Sequence, residues 1–256
     1  MNVKQLFDLT GSVAIISGGS MGLGQQMAEG LAEMGANLVL CARKQARCEE
    51  VAAQLRSSGV QALALECDVR DQAAIRGVVN ATLKKFGRID ILINSAGVSW
   101  AAPVEDTTLE QWDKVLSTNL TGTFLFCQAA GKAMLAQRSG KIINIASVAG
   151  LGGSSAELQA IGYHASKGGV ITFTKDLACK WAPHNIQVNA IAPGWFPTHM
   201  SERVIEHRKE SLLTEIPANR FGSDDDLKGA AVFLASQASA YVTGHVLVVD
   251  GGQSAW

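Results

Sequence analysis

The stretch Val13-Ala14-Ile15-Ile16-Ser17-Gly18-Gly19-Ser20-Met21-Gly22-Leu23-Gly24 decides the fold of this chain. It passes from an apolar run, typical of a buried strand, directly into a glycine-rich turn. Apolar residues then recur at helical spacing until Gly35 ends the helix, at Leu23, Met27, Leu31 and Met34. A strand, a glycine turn and a helix in this order predict the start of a βαβ unit, in which helices join parallel strands.

The same alternation continues along the chain and predicts an α/β fold with helices on both faces of a parallel sheet. Apolar runs predict buried strands over Val13–Ser17, Asn37–Ala42, Ala62–Glu66, Ile89–Asn94, Lys141–Ala146, Gln187–Ala192 and Val246–Val249. Helical spacing predicts further helices over Gln45–Ser57, Asp71–Phe86, Leu109–Gln137, Tyr163–Trp181 and Asp224–Ser236. Ser223 is the predicted N-cap of the last helix, and its first turn holds three aspartates that we interpret as caps rather than as a metal site, Asp224, Asp225 and Asp226.

Length and composition favour one domain over residues 1–256. The chain has 256 residues, 47% of them hydrophobic, and no Pro/Ser-rich, charged or low-complexity stretch divides it. The net charge of −1 is dispersed, which predicts no nucleic-acid partner.

The start of the chain is too polar for a signal peptide, and no apolar run is long enough to cross a bilayer. We therefore expect a cytoplasmic protein with no membrane partner. The five cysteines are scattered and include no CxxC pair, so we expect reduced core residues rather than disulfides. No His/Cys/Asp spacing predicts a metal site.

Ligands of such sheets bind beyond the carboxyl ends of the strands, and the glycine turn is the first of these ends. Gly18, Gly22 and Gly24 let the backbone approach a phosphate, and the helix that follows offers free amide donors. The second strand ends at Ala42, where enzymes that prefer NAD usually carry an acid, and Arg43 follows with a guanidinium suited to a 2′-phosphate. These features predict NADP(H); a packing turn and a solvated Arg-Lys pair are the alternatives.

Tyr163 and Lys167 lie one turn apart on one face of a predicted helix. The unperturbed pKa of tyrosine is about 10, and a nearby ammonium lowers it, so the pair predicts an acid–base group. Ser147 follows the fifth strand, where its hydroxyl could hold a carbonyl group, and Asn119 is a weak helix former inside a helical stretch. The alternatives are an ordinary tyrosine, a turn serine and a surface or kink asparagine.

Together these residues resemble the short-chain dehydrogenase/reductase family over essentially the whole chain. The resemblance rests on Gly18-xxx-Gly22-x-Gly24, Asp68-Val69, Asn94-Ser95-Ala96-Gly97, Asn119, Ser147, Tyr163-xxx-Lys167 and Pro193-Gly194, in this order after the expected strands. It implies a Rossmann-type, doubly wound sheet of seven strands in the order 3-2-1-4-5-6-7. It also implies an NADP(H)-dependent oxidoreductase that interconverts a ketone and a secondary alcohol.

The resemblance implies a role for each matching residue. Tyr163 would be the general acid in reduction and the base in oxidation, while Ser147 orients the carbonyl. Lys167 would bind the nicotinamide ribose and lower the pKa of Tyr163, and Asn119 would hold a water that links Lys167 to solvent. Besides Tyr163 and Lys167, the expected cofactor residues are Gly18, Ser20, Met21, Gly22, Leu23, Arg43, Lys44, Asp68, Val69, Asn94, Ala96, Gly97, Pro193, Gly194, Phe196 and Thr198.

Two features depart from the family pattern. Ser95 stands where the family usually has asparagine, which we expect to matter little. The gap of 16 residues from Ser147 to Tyr163 is longer than usual, and the extra residues fall beside the expected substrate pocket. Ser154 or Ser155 in this loop is an alternative to Ser147.

Within the family the likeness is to bacterial 3-oxoacyl-carrier-protein reductases and gluconate 5-dehydrogenases, through the segments 185–196 and 249–252. We expect a small keto compound, because bulky aromatic walls would narrow a channel for a long acyl chain. A keto sugar acid is a candidate because the segment 201–214 offers cations for a carboxylate, Arg203, Arg208 and Lys209. Of the basic residues that would meet a carrier protein, Lys132 is present, but Cys179 holds the second place beside Lys180. The expected pocket rim is Trp100, Leu158, Trp195, Phe196 and Met200, with His199 as a polar contact or a surface residue.

Three alternatives to this small-molecule enzyme remain. One is a 3-oxoacyl-[acyl-carrier-protein] reductase. A non-catalytic NADP(H)-binding sensor would be expected to lose Tyr163 or Lys167, and a methyltransferase would have no use for the Ser147-Tyr163-Lys167 set.

The family resemblance also suggests a homotetramer, in which Leu109–Gln137 and Tyr163–Trp181 pair with the same helices of a second subunit. Trp256 is expected at a subunit boundary. Apolar candidates for the outer faces of the two helices are Phe124, Phe126, Ala129, Ala133, Phe173, Leu177 and Ala178, some of which must face the sheet instead.

Overall fold

Seven strands form one parallel sheet in the computed structural model, which describes residues 1–256. The strands are β1 (Val13–Ser17), β2 (Asn37–Ala42), β3 (Ala62–Glu66), β4 (Ile91–Asn94), β5 (Gly140–Ile145), β6 (Ile186–Pro193) and β7 (Val246–Val249). Their order across the sheet is β3-β2-β1-β4-β5-β6-β7, and every neighbouring pair is parallel. The predicted α/β class, the Rossmann-type sheet and its strand order are confirmed.

Nine α-helices accompany the sheet. They are α1 (Val3–Phe7), α2 (Gly22–Glu33), α3 (Gln45–Ser57), α4 (Gln72–Phe86), α5 (Leu109–Leu116), α6 (Gly122–Gln137), α7 (Ile161–Trp181), α8 (Glu202–Thr214) and α9 (Lys228–Ala235). The sequence did not predict α1, which begins at a capping box between Asn2 and Gln5. None of the helices is long and apolar enough to cross a membrane.

Each face of the sheet has its own apolar core, because side chains alternate along a strand. Ala14 and Ile16 of β1 belong to a core of 27 buried residues shared with α2, α3 and α9. Ile15 belongs to a core of 18 buried residues on the other face, shared with α4 and α6. Burial on both faces explains why the strands are continuous apolar runs in the sequence.

One strand boundary differs from the prediction because of a side chain. β4 begins at Ile91 rather than Ile89. The backbone N–H and carbonyl of Ile89 bind the Gln137 side chain at 3.0 and 2.8 Å. This side-chain amide occupies the backbone groups of Ile89 that would otherwise pair with a neighbouring strand. β4 therefore begins later than predicted.

The stretch predicted as one helix over Leu109–Gln137 contains a π-helical turn. α5 ends at Leu116, Ser117–Thr121 forms the turn, and α6 begins at Gly122. The backbone keeps right-handed helical angles at both junctions, so the chain continues in one direction. Such turns insert an extra residue and are frequent at functional sites, and this one contains Asn119.

The prediction for the last helix is wrong at its N-terminus. α9 begins at Lys228, and its N-cap position, Leu227, has no capping side chain. Ser223 does not cap the helix; its hydroxyl donates to the Asp226 carboxylate at 2.8 Å. The same carboxylate binds the Arg220 guanidinium at 2.6 Å, and this pairing lies outside any helix.

The other two aspartates also bind side chains rather than helix amides. Asp224 accepts a hydrogen bond from Gln26 of α2 at 2.8 Å, and Asp225 pairs with Lys228 at 3.1 Å. Lys228 also pairs with Glu33 at 2.9 Å, so that these charges join α2 to α9. Side-chain partners, one of them distant in sequence and the others within six residues, have therefore replaced the helix capping that the sequence predicted.

Candidate active site

The carboxyl ends of the strands border a cavity of about 1610 Å³. This exceeds the roughly 300–1,000 Å³ of a drug-sized site, so the cavity can hold a dinucleotide together with a small substrate. The catalytic candidates Ser147, Tyr163 and Lys167 line it. So do most of the expected cofactor residues, Gly18, Ser20, Met21, Gly22, Leu23, Arg43, Asp68, Val69, Ala96, Gly97, Pro193, Gly194, Phe196 and Thr198.

The glycine turn brings backbone to the wall of this cavity. Gly18 has φ +71°, and a Cβ there would lie 2.8 Å from the backbone nitrogen of Ala96. A Cβ at Gly24 would overlap the carbonyl of Gly18, so the turn and the helix pack without side chains between them. Because α2 begins at Gly22, its free amide groups lie beside the cavity, as an anion site requires.

Arg43 and Asp68 lie near each other along this wall. Asp68 binds the Arg70 guanidinium at 2.6 Å. The hydrogen bonds from Arg70, with a smaller contribution from Arg43, hold the pKa of the Asp68 carboxyl below its ordinary value. Arg43 is exposed and borders the cavity, so its guanidinium is available to an anion there.

Ser147, Tyr163 and Lys167 meet where β5 ends and α7 begins. The Ser147 hydroxyl accepts a hydrogen bond from the backbone N–H of Ala149 at 3.2 Å, and its interaction with the Tyr163 phenol acts to lower the pKa of that phenol. The Lys167 Nζ atom lies 5.6 Å from the centre of the Tyr163 ring. Neither Ser154 nor Ser155 acts on the pKa of Tyr163, which favours Ser147 for the carbonyl-orienting role.

Burial controls the protonation of this group. It raises the pKa of Tyr163 above its ordinary value, and the hydrogen bond with Ser147 opposes this only in part. The spacing of Tyr163 and Lys167 predicted a lowered pKa, but desolvation of the phenolate is the largest effect in this structure and raises the pKa instead. Burial also lowers the pKa of Lys167 to about 8, while its Nζ atom donates to the carbonyl of Ile145 at 2.6 Å.

Asn119 is buried in the π-helical turn and supports the site from behind. Its side-chain amide donates to the carbonyl of Val98 at 2.9 Å and accepts from the N–H of Val98 at 2.8 Å. It also donates to the Ser166 hydroxyl at 3.0 Å, next to Lys167 in the sequence. The side chain thus fixes the segment after β4 against α7. The expected water link to Lys167 remains a prediction.

Besides Asn119, the residues assigned to the site from the sequence that do not line the cavity include Lys44, Asn94 and Trp100. Lys44 is exposed at the N-cap position of α3. Asn94 is buried below the cavity, where it donates to the Asn144 side chain at 2.9 Å. Trp100 lies outside the rim, with the Lys114 ammonium 5.3 Å from the centre of its ring. The other expected rim residues line the cavity, namely Leu158, Trp195, Phe196, His199 and Met200.

The cavity also has lining residues that the sequence did not suggest. Glu157 comes from the long loop before α7, and Gln253 and Trp256 come from the end of the chain. The Trp256 indole is mostly exposed and donates to the carbonyl of Glu215 at 3.3 Å. No sequence motif marks these residues, because only the tertiary fold brings them to the cavity.

Comparison with known proteins agrees with this geometry. A family model described as enoyl-(acyl carrier protein) reductase matches residues 18–254. Gluconate 5-dehydrogenase of Gluconobacter oxydans is 40% identical over 98% of both chains. A 3-oxoacyl-[acyl-carrier-protein] reductase of Synechocystis is 39% identical over 95% of this chain and 97% of the relative.

A crystal structure has a closely similar fold. It is a gluconate 5-dehydrogenase from Burkholderia cenocepacia in complex with NADP and tartrate, with 36% identity, a TM-score of 0.95 and coverage of 100% of both chains. The chain belongs to the short-chain dehydrogenase/reductase family of oxidoreductases, as the sequence motifs predicted.

Replacing Lys167 by methionine tests the lowered pKa. In the folded chain the ammonium titrates at about 8 instead of 10.5, so between these pH values the unfolded chain binds more protons. The free energy of unfolding of the parent therefore gains a contribution that rises with pH across this window, and the variant lacks it. We expect the difference, parent minus variant, to rise by about 2 kcal/mol between pH 7 and pH 10 in urea denaturation.

The exposed Lys175 of the same helix provides the control, because Lys175→Met should show no such trend. A difference between parent and Lys167→Met that stays constant with pH would show that Lys167 titrates like an exposed lysine.

Proposed function

We propose that this chain is an NADP(H)-dependent oxidoreductase that interconverts a ketone and a secondary alcohol, with a keto sugar acid or a similar small keto compound as substrate. The observation that carries this proposal is the meeting of Ser147, Tyr163 and Lys167 in the same cavity as the glycine turn. The likeness to gluconate 5-dehydrogenases over the full chain supports the substrate class.

Tyr163, Ser147 and Lys167 each have a different role in proton transfer. When bound, the nicotinamide supplies the hydride to the carbonyl carbon in reduction and accepts it in oxidation. Tyr163 donates its phenol proton to the carbonyl oxygen in reduction, and its raised pKa keeps that proton in place at neutral pH. Ser147 hydrogen-bonds the same oxygen. The ammonium of Lys167 stabilises the negative charge that develops as the proton leaves the phenol.

The cavity wall fits NADP(H). The glycine turn and the first amides of α2 form a surface of backbone groups, without intervening side chains, that suits a pyrophosphate. Ala42 places no carboxylate at the end of β2, and Arg43 adds a positive charge beside it. A 2′-phosphate would therefore meet attraction from Arg43 rather than repulsion.

Replacing Tyr163 by phenylalanine should lower kcat by about 10²–10⁴-fold, because the variant lacks the general acid. Binding of NADPH, measured by fluorescence energy transfer from tryptophan, should change little because the ring and its packing stay. Tyr241→Phe, at the exposed second tyrosine, is the matched control. Turnover of Tyr163→Phe within threefold of the parent would refute the assignment.

The Arg43→Ala variant should bind NADPH more weakly by about tenfold or more, as expected when one charged hydrogen bond is lost. Its affinity for NADH should be nearly unchanged, since NADH has no 2′-phosphate. Lys44→Ala removes the neighbouring charge from a side chain that does not line the cavity, so it is a matched control. Equal losses in both variants would indicate a general electrostatic effect and not a contact.

A 3-oxoacyl-[acyl-carrier-protein] reductase is the second candidate, supported by the Synechocystis relative and the family model. Carrier proteins are acidic, so their docking needs free basic residues. Lys132 is exposed on α6, but Cys179 is uncharged and Lys180 pairs with Asp176 at 2.5 Å. The docking surface therefore has less free positive charge than the sequence suggests, which favours the small substrate.

The two candidates separate in one assay with NADPH. We expect a higher kcat/KM for 5-ketogluconate than for a short 3-oxoacyl thioester. A hundredfold preference for the thioester, increased further by attachment to carrier protein, would instead establish the second candidate.

We further propose a cytoplasmic homotetramer. Phe124 of α6 is 43% exposed and packs edge-to-face on Phe173 of α7, with the ring centres 6.2 Å apart, so these two helices present an apolar face. Phe126 and Ala178, also considered for this face, are buried in the core against the sheet instead. Light scattering at micromolar concentration should give four times the mass of one chain, and the mass of a single chain would refute the tetramer.

All five cysteines are free thiols, which suits a reducing compartment such as the proposed cytoplasm.

A further inference from the structure

Arg208 lies in the middle of α8 in an unusual environment. The backbone leaves the helical conformation there, with φ −128° and ψ 20°. The side chain is 19% exposed and lines the cavity. Its Nη2 atom binds the Glu157 carboxylate at 2.7 Å, whereas its Nη1 atom is buried and has no hydrogen-bond acceptor in the chain.

A buried donor without an acceptor is rare in folded proteins, and a charged one is the most costly kind. Most arginines avoid this cost by reaching water. Arg208 does not do so in this conformation, because protein atoms cover Nη1, although the residue lines the cavity. A turn of the guanidinium towards the cavity, with Glu157 released, would bring Nη1 to a partner with a free acceptor there and remove the cost.

We propose that Arg208 binds the carboxylate of the substrate and thereby makes the enzyme selective for hydroxy and keto acids over neutral polyols and ketoses. This inference rests on the function proposed above. A guanidinium presents its nitrogens as a fork that matches a carboxylate, so one anion can satisfy Nη1 and also share Nη2. Glu157 shows that a carboxylate reaches the Nη2 atom of this guanidinium, at 2.7 Å.

Glu157 is suited to give way to the substrate. Its side chain is 72% exposed and comes from the long loop before α7, so releasing it to water costs little. Glu157 therefore holds the guanidinium in place and competes with the substrate for Nη2. The other cations of α8 have no comparable burial: Arg203 is exposed, and Lys209 is exposed and does not line the cavity.

A pair of ketones that differ in one group tests the proposal. 5-Keto-D-gluconate and L-sorbose have the same carbon chain and the same ketone, but the first ends in a carboxylate and the second in CH2OH. Reduction of either consumes one NADPH and one proton and yields the alcohol and NADP+. The ratio of their kcat/KM values isolates the contribution of the carboxylate.

The Arg208→Gln variant should lose about 10- to 150-fold in kcat/KM for 5-ketogluconate, mainly through KM, which corresponds to one charged hydrogen-bonded contact. Its kcat/KM for L-sorbose should stay within about threefold of the parent. Glu157→Gln should leave KM for the acid unchanged or lower it, because the competing carboxylate is gone. Lys209→Gln has the same loss of charge as Arg208→Gln on the same helix and should leave the ratio unchanged.

Two results would overturn the proposal. Equal losses on both ketones in Arg208→Gln would show that Arg208 only supports α8. Matching losses on the acid in Arg208→Gln and Glu157→Gln would show that the ion pair, and not a substrate contact, is what matters.

A binding measurement separates this inference from the proposed function. With NADP+ present, a ketone cannot react, so tryptophan fluorescence reports only its binding. Weaker binding of 5-ketogluconate to Arg208→Gln than to the parent would support the proposal even if neither protein reduced it. Failure of the parent to reduce any ketone would refute the proposed function alone, and equal binding by both proteins would refute the role of Arg208 alone.

Discussion

Buried hydrogen bonds between α7 and the sheet are the constraint on which the site depends. Asn94 of β4 donates to Asn144 of β5, and Asn144 donates to Thr174 of α7, each at 2.9 Å. Nearer the start of α7, Ser166 accepts a hydrogen bond at 3.0 Å from Asn119 of the π-helical turn. These polar groups are buried, and breaking one of the hydrogen bonds would leave a buried polar group without a partner. The helix therefore has one favourable position. That position places Tyr163 and Lys167 opposite Ser147.

Burial fixes the positions of the side chains in this site and also makes the charge of Lys167 costly for the stability of the fold. Lys167 is almost fully buried with no carboxylate beside it, and its ammonium has one hydrogen bond, to the carbonyl of Ile145. The cost shows in a pKa near 8. A lysine in this state keeps most of its charge at neutral pH but holds it in a medium of low dielectric constant, where it acts strongly on nearby oxygens. In the proposed reaction, this buried charge would cost stability and strengthen the electrostatic effect on the substrate oxygen.

The sequence was most informative where local chemistry determines the structure. The apolar runs, the glycine turn and the spacing of Tyr163 and Lys167 depend on near neighbours, and the strands and the shared cavity followed from them. The strand order was predicted from the family resemblance. It was least informative where distant residues compete with local preferences. Asp224 binds Gln26 of α2 instead of capping the helix that follows it. The direction of the Tyr163 pKa depends on burial, which spacing alone does not determine.

The π-helical turn at Ser117–Thr121 limits how this chain can vary in length. Each residue of an α-helix advances by about 100°, so a one-residue deletion that turned this segment into regular α-helix would rotate everything after it relative to α5 or shift it along the axis. Phe126, Ala130 and Met134, which fill the core from α6, would then leave their places. Surface loops tolerate insertions and deletions, but the length of this helix is fixed from both ends, so over evolution it should accept substitutions far more readily than changes in residue number.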